Sequence, residues 1–157
     1  MEIRITKNEG KPHSIVYKRS NGTETWMRAD DFFVRHDLSH YAIEKSLGYK
    51  NAFLGMIDHG MDIHDFEDRL KRKEMNISRE AWYAENMANL FLMEIMQGEL
   101  ENFNTVSKHT FMKMQLDFPP LELNNEEMKA IRILLRQLLD QWDHLASDKT
   151  MNLTLEL

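Results

Sequence analysis

The first 29 residues read as β structure, opening with alternating apolar and polar positions, the two-residue period of a strand with one buried face. Ile3 and Ile5 stand between Glu2, Arg4 and Thr6. Ile15, Val16 and Tyr17 lead into Asn21-Gly22, and Thr23, Thr25, Trp26 and Met27 follow. Asn-Gly between two β-prone runs predicts a hairpin with a type I′ turn, in which both central residues have positive φ. From about Asp37 the period lengthens to that of a helix. Leu38, Tyr41, Ala42 and Leu47 share one face, and Gly48 is placed to end it. A short second helix is predicted over 51–58, carrying Phe53, Leu54 and Ile57 and closed by Gly60. Residues 61–75 turn from acidic to basic and show no sustained period.

Ser78 is placed to cap a long helix over 79–97, with Ala81, Ala84, Ala88, Phe91, Leu92 and Ile95 in one stripe and Gly98 at its end. A further helix is predicted over 104–116, carrying Val106, Phe111 and Met114, before Pro119-Pro120 forces an extended break. Asn124 and Glu127 form a capping-box pair for the last helix, whose stripe is Met128, Ile131, Leu135, Leu138, Leu139, Trp142 and Leu145. Residues 151–157 alternate again, and a terminal strand needs a sheet to join. The pattern predicts an α+β fold: a small antiparallel sheet from the N-terminal hairpin and the C-terminal strand, packed against four or five mainly antiparallel helices. It is read as one domain over 1–157, with a β region at 1–29, a helical region at 30–147 and a terminal strand at 150–157.

Composition narrows the function classes. A chain of 157 residues with 42% apolar and 29% charged residues suits one globular core. No apolar run approaches the roughly 18 residues of a membrane span, and the start lacks the apolar segment of a signal peptide, so a cytoplasmic protein is expected. The net charge of −6 argues against a nucleic-acid partner. Arg69, Lys71, Arg72 and Lys73 form a short basic cluster between acidic residues and read as a solvated segment. The absence of cysteine removes disulfides, thiolate metal sites and thiol nucleophiles. Any metal must be held by His, Asp and Glu. Phosphate-loop, serine-hydrolase and His-Glu-x-x-His patterns are absent.

The densest chemistry is the run from Arg35 to Glu44. His36 and His40 are four apart, which on a helix puts them on one face with about 5–6 Å between their Cβ atoms. Two imidazoles so placed suit one divalent ion, with zinc, iron or manganese compatible with a His/carboxylate set. Asp37 is placed as a ligand, a general base or an outer acceptor, and Glu44 as a partner of His40 or a proton-handling group. His36, His40 and Glu44 span too much helix to hold one ion together, so a third ligand must come from elsewhere. The suppliers are Asp58, His59, His64 and Glu85, with Asp62 and Asp65 nearby. The alternative is structural: Asp37 is also a plausible N-cap, and His36 a donor to a buried carbonyl. Asp58 to Asp68 lacks the spacing of a calcium loop and reads as a solvated acidic segment. Met87, Met93, Met96, Met112, Met114 and Met128 read as core fillers. Lys129, Arg132 and Arg136 read as a solvated flank paired with carboxylates four residues away.

The run from His36-Asp37-Leu38-Ser39-His40 to Glu44, followed by Leu47-Gly48, Phe53-Leu54-Gly55 and Gly60, resembles a family of small uncharacterised bacterial proteins. Those proteins carry a His-Asp-Leu-x-His-x-x-x-Glu helix and tend to end in an alternating strand, as Leu153-Thr154-Leu155 would here. The likeness covers about 25 residues and the tail, and implies no activity. His36, Asp37 and His40 also resemble the His-Asp-x-x-His zinc motif of a ubiquinone-biosynthesis protein family. That motif continues with a glutamate twelve residues after the second His, where this chain has Ala52.

Three functions stay open on the sequence. One is a metal- or small-ligand-binding protein centred on His36, Asp37, His40 and Glu44, catalytic if the ion activates water or a substrate oxygen. The second is a non-enzymatic protein that holds a partner on Met-rich and aromatic faces. The third is a homodimer whose motif is architectural.

Overall fold

The computed structural model describes residues 1–66 and 75–157. Three strands come first: β1 (Glu2–Thr6), β2 (His13–Lys18) and β3 (Glu24–Ala29). Helices α1 (Asp31–Leu47) and α2 (Phe53–Asp58) and a 3-10 turn (Ile63–Phe66) follow. Helices α3 (Arg79–Gln97), α4 (Phe103–Met112) and α5 (Asn125–His144) precede the last strand, β4 (Thr150–Thr154). The fold is α+β, as the pattern predicts. The basic cluster Arg69, Lys71, Arg72, Lys73 and the end of the acidic segment, Glu67 and Asp68, lie outside the described residues.

The sheet is antiparallel in the order β3-β2-β1-β4, so both ends of the described chain meet in it. The register aligns Met27, Ile15, Ile5 and Met151 in one row and Thr25, Tyr17, Ile3 and Leu153 in the next. These rows face the helices, and all but Leu153 are buried. A one-residue slip would turn both rows to solvent, so this apolar face fixes the pairing.

The β2–β3 turn differs from the sequence prediction. Gly22 has φ of +87°, but Asn21 is not among the residues of positive φ. Arg19 and Thr23 pair, Gly22 N–H donates to Arg19 O, and Asn21 Oδ1 accepts from Thr23 N at 2.9 Å. The loop is therefore a three-residue turn with a glycine bulge rather than type I′. The Asn21 side chain caps the turn instead of its backbone entering the left-handed region.

Helix α1 starts six residues before the predicted position. Asp30, not Asp37, is the N-cap, and its Oδ1 accepts from Phe33 N at 3.0 Å. Asp31 sits in the first turn and Lys45 in the last, each favourable to the helix dipole. Gly48 closes α1 at φ of +65°, a conformation that costs a side chain little only when there is none. Phe32 and Phe33 are exposed, which masks the helical period of this first turn. Helix α2 begins at Phe53, later than predicted, and its N-cap Ala52 makes no side-chain capping hydrogen bond. Ser78 and the Asn124/Glu127 capping box act as predicted on α3 and α5.

Helix α1 is the hub. It packs against α3 and α5 and lies over β2 and β3. Val34, Leu38, Tyr41, Ala42 and Ile43 join the apolar core. Such enclosure also buries its polar side chains Asp37, Ser39, His40 and Glu44. Between α3 and α5, buried Glu94 accepts from Arg132 at 2.7 and 2.9 Å, and Glu99 accepts from Arg136. Arg132 and Arg136 of α5 thus reach carboxylates on α3 and just beyond its end. Met96 and Met112 are exposed rather than core fillers, whereas Met87 is buried.

Candidate metal centre

The buried polar stripe of α1 and one residue of α3 form the site. Ala81, Ala84 and Ala88 are buried on α3, and such short side chains let two helices approach closely. Glu85 is one turn beyond Ala81. Its Oε2 lies 3.1 Å from His40 Nε2, and its Oε1 lies 3.7 Å from His36 Nε2. The two imidazole ring centres sit 4.8 Å apart, with the planes inclined at 65°. One donor atom from each of His36, His40 and Glu85 lies within 4.8 Å of the other two. This is the one such group among the described residues.

The four suggested third ligands are thereby separated. Glu85 is in the group, and Asp58, His59 and His64 are not. Asp58 accepts from Ser20 N at 2.7 Å and Ser20 Oγ at 2.8 Å, which ties α2 to the β2–β3 turn. His59 and His64 are exposed. Ala52 is buried at the start of α2 and offers no donor.

Glu44 stands behind His40. Its two oxygens accept from Leu54 N at 3.0 and 3.1 Å, so this carboxylate of α1 caps α2 where Ala52 cannot. His40 Nδ1 lies 3.6 Å from Glu44 Oε1, beyond hydrogen-bond reach, and among the described residues this buried nitrogen has no hydrogen-bond partner. Burial disfavours a charged His40, yet Glu44 and Glu85 together push its pKa up to about 9. Burial also raises Glu44, opposed by His40. For Glu85, burial acts upward but His36 and His40 hold the carboxyl well below the usual range.

Asp37 accepts from the Tyr17 hydroxyl of β2. Burial raises the Asp37 carboxyl, opposed by the Tyr17 bond and by both imidazoles, and burial beside Asp37 raises Tyr17. This pair is absent from the sequence reading. Its signal is the parity of β2: Tyr17 falls on the inward face with Ile15, and a buried tyrosine hydroxyl needs a partner.

These groups open on a cavity of about 780 Å³. His36, Asp37, His40 and Glu85 form its polar wall. Phe33, Phe53, Phe66, Trp82, Ile63 and Ile77 contribute most of the rest. Phe53 packs against His40 at 5.0 Å between ring centres and against Phe66 at the same distance. Glu44 does not line the cavity. Two imidazoles and a carboxylate at the wall of an apolar chamber can hold a cation, move a proton, or do both.

Comparisons with protein-family models, with curated proteins and with solved structures give no match to this chain.

Proposed function

We propose that the protein binds one divalent transition-metal ion through His36, His40 and Glu85, and that this ion serves a small-molecule site in the adjoining cavity. The convergence of three donors from two helices within 4.8 Å carries the reading. Both imidazoles turn Nε2 toward Glu85. His40 then turns Nδ1 toward Glu44, the arrangement in which a ligating histidine faces an outer carboxylate through its other nitrogen. Two His and one carboxylate suit zinc, iron or manganese. Three protein donors leave a coordination position for water or a substrate oxygen, which is the pattern of catalytic sites rather than closed structural ones. The ion would polarise that oxygen or lower the pKa of bound water. Asp37, oriented by Tyr17 and lining the same wall, is the chain's group for accepting or donating a proton there. The likeness to the His-Asp-x-x-His zinc motif agrees with this reading, with Glu85 taking the role its glutamate would have at position 52.

The test is the metal content of untagged protein by mass spectrometry, with a thermal melt before and after chelator. About one equivalent of metal and a melting point lowered by chelator support the reading. No binding and no shift after addition of zinc, iron or manganese refute it. A second reading rests on the existing His40–Glu85 contact: an imidazolium clamped between Glu44 and Glu85 would join α1, α2 and α3 with no metal. That reading predicts that His40→Gln destabilises the chain in the presence of chelator and that metal never protects it.

A further inference from the structure

The geometry points to an apolar monocarboxylic acid as the cavity's ligand, its carboxylate on the metal and its hydrocarbon tail among the aromatic side chains. This inference rests on the metal reading above and adds the ligand class. The cavity of about 780 Å³ is of the size that encloses a small organic molecule. Its residues divide sharply. The polar groups His36, Asp37, His40 and Glu85 are confined to the α1 and α3 wall, and Phe33, Phe53, Phe66, Trp82, Ile63 and Ile77 supply most of the remaining surface.

That division suits a ligand with one polar end and an apolar body better than a sugar or nucleotide, whose hydroxyls and phosphates need many hydrogen-bonding groups. A polar group buried there without a partner weakens binding. A hydrocarbon tail meets no such penalty, and each buried methylene gains about three- to four-fold in affinity.

The head group follows from charge. A divalent ion with one ligating carboxylate retains a positive charge, which an anionic oxygen ligand neutralises. Asp37 does not take that place, because its carboxylate is held by the Tyr17 hydroxyl of β2. With no lysine or arginine in the described wall, the metal is the one strong anchor for the head group. Carboxylate binding is then expected to be stronger with metal than without it.

The experiment is calorimetric titration of acetate, butyrate, hexanoate and octanoate into the full chain carrying one equivalent of zinc, and into the same chain treated with chelator. Zinc loading is verified by mass spectrometry before each titration. The inference predicts that affinity rises with every added pair of methylenes and that chelator weakens octanoate at least ten-fold. Trp82→Ala is expected to weaken octanoate while leaving zinc content unchanged. Zinc-loaded protein that binds octanoate no better than acetate, or no better than chelator-treated protein, overturns the ligand class and leaves the metal reading standing. Failure to load zinc, iron or manganese overturns the metal reading and this inference with it. The length series on the unaltered chain decides the matter if Trp82→Ala does not fold.

Discussion

Glu85 Oε2 lies 3.1 Å from His40 Nε2, joining α3 to α1 across 45 positions of sequence. His40 is almost wholly buried, while the Glu85 side chain is 45% exposed. Water screens that carboxylate, so the ion pair alone contributes little to stability. The contact has more consequence for chemistry: it sets a carboxylate beside two imidazoles at a cavity wall.

The pH dependence of the metal-free protein follows from His40. Its pKa rises from about 6.5 unfolded to about 9 folded. A raised imidazole stabilises the fold fully below the unfolded value, and that stability is lost as pH rises through the folded one. The free energy of urea unfolding in chelator should therefore fall between about pH 6.5 and 9. The slope should flatten in His40→Gln. A wild-type midpoint that stays level over this window contradicts the clamped imidazolium.

Glu44 acts on the metal through His40. Glu44→Gln keeps an oxygen to accept from Leu54 N but removes the charge facing Nδ1. Loss of such an outer partner lowers metal affinity about 10–100-fold. A competitive zinc titration checks this, with circular dichroism confirming that α2 remains folded. Unchanged affinity would show that Glu44 is only a cap for α2.

Tyr17→Phe removes the hydroxyl that donates to buried Asp37. The expected cost is about 1–3 kcal/mol, the range for stranding a buried polar group. Urea unfolding measures it. Zinc binding should persist, because neither residue belongs to the His36, His40, Glu85 group.

Gly55 has no room for a side chain. A Cβ there would stand 2.1 Å from the Lys50 carbonyl oxygen, which is backbone and cannot swing aside. Gly55→Ala should cost about 1–3 kcal/mol or more through overpacking. It should also shift Leu54 N away from Glu44. A thermal melt equal to that of the unaltered chain would contradict the close approach of this backbone.

Much of this architecture was legible because it follows from period. Alternation at Ile3/Ile5 and Met151/Leu153, and the β-prone runs on either side of Asn21-Gly22, identify the strands. The stripe from Ile131 to Trp142 identifies α5. The start of α1 was obscured because Phe32 and Phe33 are apolar yet exposed, so the first turn carries no helical pattern. The Asn21-Gly22 turn departs from type I′ because a hydrogen bond from Thr23 N to the Asn21 side chain substitutes for a left-handed Asn21. Within the site, the i,i+4 spacing of His36 and His40 is local and readable. Glu85 was one of several possible third ligands, since sequence spacing does not say which helix lies against α1. Tyr17 and Asp37 meet through the packing of α1 on the sheet, which no local pattern encodes.

The most direct test is anomalous X-ray scattering at the zinc edge from crystals of zinc-loaded protein. The account predicts one strong peak about 2.0–2.2 Å from His36 Nε2, His40 Nε2 and a Glu85 oxygen. It is contradicted if zinc-loaded crystals show no peak there, or if the ion sits on Asp58, His59 or His64 instead.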